Sequence, residues 1–221
     1  GAGTRMKSKR PKVAHEVLGR PLVQWAVRAA EAAGADRIVT VVGHGREAVI
    51  PLVEDDTQVV VQISQRGTAD AVLAAADALA DFDGAVVVLS GDSPLIRPET
   101  IREMCALRAE HNAAVVVLTM ELANPFGYGR IVRDGAGEVA RIVEQKDATA
   151  EEAAITECNS GFYCFDAAAL FEALAQVDAN NAQGEFYLTD VLAIAREAGR
   201  PVLAYKTDDA EQCLGVNSRG Q

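Results

Sequence analysis

The sequence predicts an α/β protein with a Rossmann-like, mostly parallel sheet, followed by a smaller α+β portion. Apolar runs without alternation, such as residues 86–89, are typical of strands that are covered on both faces. In the first half, such runs alternate four times with helical patterns through short joints, as in a parallel sheet built from right-handed crossovers. After residue 120 the pattern changes to a hairpin and further strands and helices, so we expect a different architecture there.

The spacing of apolar residues, glycines and prolines sets the bounds expected for each element. Pro21 suits a first helical residue, and the helical pattern that follows it ends at Gly34. Pro51 shortens the next helix, and Thr68 is a candidate cap for an alanine-rich helix. The expected helices are 21–33, 46–53, 69–79, 98–108, 167–176 and 186–198. The expected strands are 37–42, 59–63, 86–89, 113–120, 131–133, 139–144, 161–165 and 202–205.

Composition limits the classes of partner. A chain of 221 residues, 49% apolar and 24% charged, is typical of one sizeable folded domain. The net charge of −11 argues against a nucleic-acid or anionic-membrane surface, because such partners select basic faces. No apolar run approaches the roughly 20 residues of a membrane span, and no signal-peptide pattern is present. The four cysteines show neither a CxxC pair nor zinc spacing, which favours reduced thiols in a cytosolic protein.

The strand predicted at residues 86–89 ends at a polar turn. Gly91 permits an unusual turn and Pro94 cannot continue a ladder, so Asp92 is expected just beyond the carboxyl end of the strand. Open α/β sheets bind ligands at that edge. A carboxylate there suits Mg²⁺, which takes hard oxygen ligands and often shares them with phosphates. A turn or helix-cap aspartate is the alternative.

Glycines and cations crowd the start of the chain. Gly1 and Gly3 precede five cations within the eight residues from Arg5 to Lys12. Backbone N–H groups and positive side chains of this kind can line a polyphosphate. A basic, flexible terminus is the alternative interpretation.

Seven further segments give these features a family resemblance. The start, Gly1-x-Gly3-Thr4-Arg5-Met6 followed by Pro11-Lys12, resembles the signature of sugar-phosphate nucleotidyltransferases. Within that family, the chain is most similar to the bacterial N-acetylglucosamine-1-phosphate uridylyltransferases. The segments that match them, in the same order, are 62–68, 89–92, 127–130, 142–147, 159–161, 181–190 and 215–217. The resemblance therefore covers nearly the whole chain.

The resemblance implies a cytoplasmic enzyme of cell-wall synthesis with a nucleotidyltransferase fold. Such an enzyme transfers uridylyl from UTP to N-acetylglucosamine 1-phosphate with the help of Mg²⁺, and it releases UDP-N-acetylglucosamine and pyrophosphate. Residues 1–112 would form the nucleotide-binding portion and residues 113–221 the sugar-phosphate-binding portion. A related transferase for another sugar or base and a non-catalytic sugar-nucleotide-binding module are the alternatives.

The resemblance also implies roles for individual residues. Asp92 and Asn217 would hold Mg²⁺, and Arg5 and Lys12 would neutralise the phosphates. The implied nucleotide contacts are Gly1, Gly3, Lys12, Gln62, Gly67, Thr68 and Gly91. The implied sugar contacts are Ser90, Gly129, Glu144 and Asn159. Taken singly, the last three could instead serve a turn, an exposed strand and a local backbone hydrogen bond.

The chain departs from the family pattern at both ends. Gly1 matches the last residue of a Leu-Ala-Ala-Gly turn that follows a short apolar strand in the family. We expect that strand, roughly ten or more residues with its turn, to precede Gly1. Many relatives also continue after the motif around Asn217 into a left-handed β-helix acetyltransferase domain, of which these residues contain nothing.

Overall fold

Ten strands and seven α-helices make up the part of the chain that the computed structural model describes, residues 6, 8 and 10–216. The strands are β1 (Glu16–Val17), β2 (Arg20–Pro21), β3 (Val39–Val42), β4 (Gln58–Val61), β5 (Ala85–Val88), β6 (Val115–Glu121), β7 (Arg130–Arg133), β8 (Val139–Val143), β9 (Glu157–Asp166) and β10 (Val202–Thr207). The helices are α1 (Leu22–Ala33), α2 (Arg46–Val49), α3 (Thr68–Leu73), α4 (Pro98–Glu110), α5 (Ala150–Ala153), α6 (Ala167–Leu174) and α7 (Asp190–Glu197). Short 3₁₀-helices lie at Lys12–Ala14, Ile50–Leu52, Asp77–Leu79 and Ala210–Cys213.

The largest sheet is mixed and is built around the long strand β9. Its strands lie in the order β10-β6-β9-β7-β8, and β5 also pairs with β9. β10 runs parallel to β6, whereas β5, β6 and β7 run antiparallel to β9. β7 and β8 form the predicted hairpin, which joins the sheet where Arg130 pairs with Cys158. The α/β class is confirmed. The antiparallel pairs of this sheet come from β9 and from the β7–β8 hairpin, and the sequence pattern predicts β9 only in part.

A groove separates a small parallel sheet from the large one. β3 and β4 pair in parallel, and within residues 10–216 neither forms a ladder with any other strand. Every residue of β3 and of β5 lines a groove of about 1220 Å³ between the two sheets. Each of these strands therefore has one edge that no other described strand pairs, and a further strand at this position could pair with both.

Several predicted boundaries agree with the structure because local signals set them. α1 starts directly after Pro21 and ends at Gly34, whose φ of 94° supplies the left-handed cap. Pro51 lies in the 3₁₀-turn that ends the second helix, as expected. β9 starts at Glu157, four residues before the strand predicted at 161–165, and so it includes Asn159.

The helix expected over 69–79 is shorter and is capped differently. Gly67 occupies the N-cap position of α3, and the helix ends at Leu73. The Thr68 hydroxyl does not cap it, because that oxygen accepts a hydrogen bond from the Leu188 N–H at 2.9 Å. The predicted cap is therefore wrong, and Thr68 instead links the two halves of the chain.

The helix expected over 186–198 begins only at Asp190. The Phe186 N–H donates to the Arg66 carbonyl at 2.8 Å, and the Phe186 carbonyl accepts from the Ala69 N–H at 2.9 Å. These hydrogen bonds hold the backbone at residue 186 against the loop before α3. Residue 186 could not make them from within a helix.

The core lies on both faces of the large sheet. The first four residues of β6 are completely buried, as their unbroken apolar pattern predicts. α6 and α7 cover one face together with Phe165 and Leu192, and α4 covers the other with Met104 and Phe162. Among the described residues, no helix combines the length and apolar character that crossing a bilayer requires.

Candidate active site

One groove brings together most of the predicted site residues. Gly1, Gly3, Arg5 and Asn217 lie outside the described residues, so their predicted roles stay predictions. Of the others, those that line the groove between β3 and β5 are Lys12, Gln62, Thr68, Ser90, Gly91, Asp92, Glu144 and Asn159. Gly67 and Gly129 do not line the groove but lie next to Gln62 and Glu144 respectively. Residues from distant parts of the sequence therefore form one candidate site. We divide it into a phosphate, a base and a sugar region, named after the contacts that the family resemblance implies.

The phosphate region is organised around Asp92. This residue lies in the turn after β5, as predicted, and its carboxylate forms an ion pair with the Lys12 ammonium. Both side chains are about one-fifth exposed, at 19%. The Val216 N–H donates to the Asp92 carbonyl at 2.9 Å, and a Cβ at Gly215 would lie 3.2 Å from Oδ2. The start and the end of the described chain thus meet at one carboxylate.

The base region contains Gln62, just after β4, and Gly67, just before α3. The Gln62 Nε2 donates to the Gly67 carbonyl at 3.2 Å and to Asp70 Oδ2 at 2.8 Å. Gly67 has a φ of 131°, and a Cβ there would lie 2.4 Å from the Phe186 carbonyl oxygen. Only glycine fits this conformation and this close approach. The predicted base contacts are therefore positioned by a segment from the second half of the chain.

The sugar region lies at an irregularity in β9. Thr119 of β6 pairs with Asn159 and Val117 pairs with Tyr163, so the register shifts between these two pairs. Bulges of this kind re-aim side chains and are frequent beside active sites. Asn159 Nδ2 donates to the Tyr163 hydroxyl at 2.7 Å, and Asn159 Oδ1 accepts from the Gly161 N–H at 2.9 Å. Each end of the amide keeps one further hydrogen-bonding position, which a ligand can use.

Glu144 completes the sugar region from the end of β8. Burial raises the pKa of its carboxyl group, and the Thr189 hydroxyl, which donates to Oε1 at 3.5 Å, acts in the opposite direction. A Cβ at Gly129 would lie 3.3 Å from Glu144 Oε1 and 3.4 Å from the Asn159 Cβ. Gly129, Glu144 and Asn159, which the family resemblance places on the sugar, are therefore neighbours.

A buried arginine that sequence reasoning did not single out supports this region. Arg130 is 1% exposed, and its Nη2 donates to Gln145 Oε1 at 2.8 Å and to the Ala153 carbonyl at 3.3 Å. Gln145 Oε1 also accepts from the Gly127 N–H at 3.0 Å. Arg130 thereby fixes the loop before β7 to the loop after β8. In the sequence, its position within the matched segment 127–130 is the signal that could have identified Arg130 as a residue of this site.

The loop after β8 also meets the segment 181–190. Lys146 Nζ donates to Gln183 Oε1 at 2.7 Å, and Gln183 Nε2 donates to the Tyr187 hydroxyl at 2.7 Å. The Asp147 carboxylate accepts from the Ala182 N–H at 2.7 Å. Two motifs that lie far apart in the sequence, 142–147 and 181–190, thus contact each other next to Glu144.

The arrangement matches a known family of enzymes. A family model described as the MobA-like NTP transferase domain matches residues 1–191. The chain belongs to this family. An NTP transferase must accommodate both a nucleotide and an acceptor, and the candidate site residues Gln62, Asp92 and Glu144 follow the carboxyl ends of β4, β5 and β8. The stretch of the groove between β3 and β5 themselves, in contrast, is the gap that a further strand could fill.

Relatives of this NTP transferase domain include three proteins called bifunctional protein GlmU. The one from Halalkalibacterium halodurans is 52% identical over 219 residues, which are 99% of this chain and 48% of that protein. The one from Lactobacillus johnsonii is 50% identical over 219 residues, with the same coverage. The one from Pelobacter propionicus is 47% identical over 223 residues, covering 100% of this chain and 48% of that protein. The chain thus spans about half the length of these curated relatives.

Solved structures of nucleotidyltransferases share the fold of this domain. A UDP-glucose pyrophosphorylase complexed with UDP-glucose aligns with a TM-score of 0.73 and 22% identity, covering 93% of this chain and 87% of that one. A putative glucose-1-phosphate thymidylyltransferase from Bacillus anthracis aligns with a TM-score of 0.75 and 18% identity, covering 96% and 87%. The nucleotidyltransferase fold that the sequence predicts is therefore confirmed.

Proposed function

We propose that this domain transfers uridylyl from UTP to N-acetylglucosamine 1-phosphate. The observation that carries the proposal is that the phosphate, base and sugar regions, matched in sequence to such enzymes, line one groove. Similarity to the GlmU proteins over nearly the whole chain supports it. In this proposal residues 1–112 serve the nucleotide, residues 113–221 serve the sugar phosphate, and the protein acts in the cytoplasm.

Uridylyl transfer depends mainly on the positioning of the two reactants and on charge neutralisation. A phosphate oxygen of the sugar phosphate attacks the α-phosphorus of UTP, and the bond from that phosphorus to the bridging oxygen breaks. Pyrophosphate leaves with the electron pair. Because the attacking phosphate is already ionised near neutral pH, no covalent enzyme intermediate is needed. Holding the two reactants in line and offsetting the developing charge therefore supply most of the rate.

Lys12 and Asp92 are the described residues best placed for this task. The Lys12 ammonium, now paired with Asp92, carries a point charge that it can share with a phosphate. Arg5 would add a second cation, by family match. Gln62, Gly67 and Thr68 would hold the base, and Glu144 and Asn159 would orient the sugar. The side chains on the sugar side are already anchored by neighbours, so they lose little freedom when substrate binds.

The phosphate region also suits Mg²⁺. Asp92 supplies a hard carboxylate oxygen, and Asn217, which follows Val216 in the sequence, would supply a neutral amide oxygen. Across residues 6, 8 and 10–216, no three His, Cys, Asp or Glu side chains are grouped to hold a metal by themselves. Asp92 and Asn217 together would leave the remaining positions of the ion to substrate phosphates and water, as is common for Mg²⁺. When bound, the ion would neutralise phosphate charge during transfer.

A product screen tests the proposed function. The protein is incubated with Mg²⁺ and each pairing of UTP, CTP, GTP, ATP or dTTP with the 1-phosphates of N-acetylglucosamine, glucosamine and glucose. Pyrophosphate release and the sugar nucleotide are then measured. UTP with N-acetylglucosamine 1-phosphate should give the fastest turnover. A faster alternative pair would identify a related transferase, and binding without turnover would identify a non-catalytic module.

The sugar and nucleotide sides can be separated by substitution. Asn159→Ala and Glu144→Ala should each weaken binding of N-acetylglucosamine 1-phosphate more than that of UTP, because each removes a hydrogen bond to the sugar. The loss should be about 1 to 3 kcal/mol for the sugar phosphate. Isothermal titration calorimetry with each ligand measures it, and thermal unfolding checks the cost of leaving the Tyr163 hydroxyl without its Asn159 donor.

Gln62→Ala is the matched control for these two variants. It removes a polar side chain of similar size from the same groove but from the base region, so it should weaken UTP more than the sugar phosphate. If Asn159→Ala or Glu144→Ala showed the larger loss for UTP, the assignment of these residues to the sugar would be wrong.

A further inference from the structure

The amide of Gln62 has a defined orientation in the candidate base region. Its Nε2 contacts two oxygen atoms, the Gly67 carbonyl at 3.2 Å and Asp70 Oδ2 at 2.8 Å. A carbonyl and an ionised carboxylate can only accept hydrogen bonds. Turning the amide over would place Oε1 against both acceptors and leave no donor between them. The NH₂ group must therefore face Asp70, and Oε1 must face away from it.

Asp70 is itself held in its accepting state. Its side chain is 9% exposed. Burial alone would raise the pKa of the carboxyl group, but hydrogen bonds from Gln62 and Arg66 hold the pKa below its usual value. The carboxylate is thus ionised at neutral pH and remains an acceptor for Gln62.

A cation stacked on an aromatic ring fixes the other oxygen of Asp70. Arg66 donates from Nη2 to Asp70 Oδ1 at 2.9 Å and from Nε at 3.2 Å. The Arg66 guanidinium also lies 5.0 Å from the centre of the Phe186 ring. The Arg66 backbone N–H also donates to Oδ2, at 3.4 Å. Oδ1 therefore accepts from the Arg66 side chain, whereas Oδ2 accepts from Gln62 and from the Arg66 backbone, and the carboxylate cannot rotate without breaking these contacts.

The free end of Gln62 is available to a ligand. The side chain lines the groove, and among the described residues its Oε1 accepts no hydrogen bond. Within the described site, the base region consequently offers a fixed acceptor at this point, in addition to any backbone donors.

We propose that Asp70 is a positioning residue that sets the base specificity of the site by holding Gln62 Oε1 toward the ligand. The inference rests on the proposed function, in which Gln62 faces the base. A uracil joined to ribose through N1 has a single N–H, at N3, and an acceptor oxygen matches that group. Cytosine has a lone pair at N3, so the same oxygen repels it. A site built around a fixed polar partner rejects an analogue that lacks the matching group.

The test is the preference for UTP over CTP in an Asp70→Leu variant. Leucine has nearly the shape of aspartate but accepts no hydrogen bond, so Gln62 Nε2 keeps only the Gly67 carbonyl, at 3.2 Å. The amide is then no longer held in one orientation, and Oε1 faces the base for a smaller part of the time. The ratio of kcat/KM for UTP to that for CTP should fall by about tenfold or more. UTP methylated at N3 should be a poor substrate for the unchanged protein.

A double substitution and a remote variant control the result. In a Gln62→Ala background, Asp70→Leu should leave the ratio unchanged, because the residue that Asp70 positions is gone. Asp81→Asn removes a carboxylate that pairs with Arg37 outside the base region, and it should not alter the ratio. An Asp70→Glu variant, which restores an acceptor, should recover part of the preference.

The outcomes separate this inference from the proposed function. If the unchanged protein did not use UTP, the proposed function would be wrong. If it used UTP but Asp70→Leu left the ratio unchanged, with or without a loss of turnover for both nucleotides, Asp70 would have at most a structural role and the inference would be overturned. Thermal unfolding of each variant shows whether a lost preference reflects lost folding.

Discussion

Asp92→Ala should abolish Mg²⁺-dependent turnover while the protein stays folded. The carboxylate is the proposed Mg²⁺ ligand among the described residues, so its loss should reduce kcat/KM by at least roughly a hundred- to a thousandfold. The fold should tolerate the change, because the contact that ties this turn to Val216 uses the Asp92 backbone carbonyl and not the side chain. The ion pair with Lys12 is partly exposed, and such pairs contribute little to stability.

The measurement is turnover as a function of Mg²⁺ concentration, together with thermal unfolding. Asp81→Ala is a matched control, because it also removes a carboxylate from an ion pair, with Arg37, but away from the phosphate region. That variant should keep its activity. Near-normal turnover by Asp92→Ala would show that the predicted metal ligand is wrong, and loss of folding would show that Asp92 is structural.

The sequence predicts the position of Asp92 well because the signals around it are local. The apolar run of β5, the glycine after it and the proline that stops the ladder lie within ten residues. They place Asp92 beyond the strand without any knowledge of the rest of the chain. The helix α1 and the β7–β8 hairpin follow for the same reason, since spacing, caps and turn residues determine them.

Long-range contacts decide what the local pattern could not. Phe186 suits a helix by its surroundings in the sequence, yet its backbone pairs with Arg66 and Ala69, so α7 starts later. Thr68 satisfies the rule for a cap, but Leu188 takes its hydroxyl. Asp70 carries no visible mark of its contact with Gln62, because the loop between them must first fold back. Tertiary structure overrides local propensity at these positions.

Contacts between residues far apart in the sequence also determine the extent of β9 and the geometry of the sugar region. Asn159 and Glu144 are recognisable only through the family resemblance, since neither has a local pattern that points to a ligand. The structure brings them together through the register shift in β9 and the end of the hairpin. The family resemblance therefore selects the motifs in this region, whereas their convergence depends on the assembled sheet.

An apolar strand added before Gly1 should raise the melting temperature and the affinity for UTP together. β3 and β5 each present an edge that no other described strand pairs, and both line the same groove. Exposed edges and bare apolar surface favour association over a stable monomer. Five or six Val- and Ile-rich residues, followed by Leu-Ala-Ala joined to Gly1, have the length of one ordinary strand and its turn.

The expected gain in the free energy of unfolding is the difference between the burial of apolar side chains and the entropy lost by ordering the added residues. Each apolar side chain that the groove buries contributes about 1.5 to 3 kcal/mol, whereas ordering each added residue costs about 1 to 2 kcal/mol. With hydrogen bonds formed along both edges, a net gain of a few kcal/mol remains, which corresponds to a rise of about 5 to 10 °C for a domain of this size. The turn after the strand would also bring backbone N–H groups toward the phosphates, so UTP affinity should rise with stability.

The measurement compares the 221-residue chain with and without the extension by thermal unfolding and by calorimetric titration with UTP. The control is an extension of the same length in which two prolines replace central strand residues, because proline cannot pair in a central strand. It should give neither gain. A chain that unfolded at the same temperature and bound UTP equally well without the added strand would show that the groove between β3 and β5 is not a strand site.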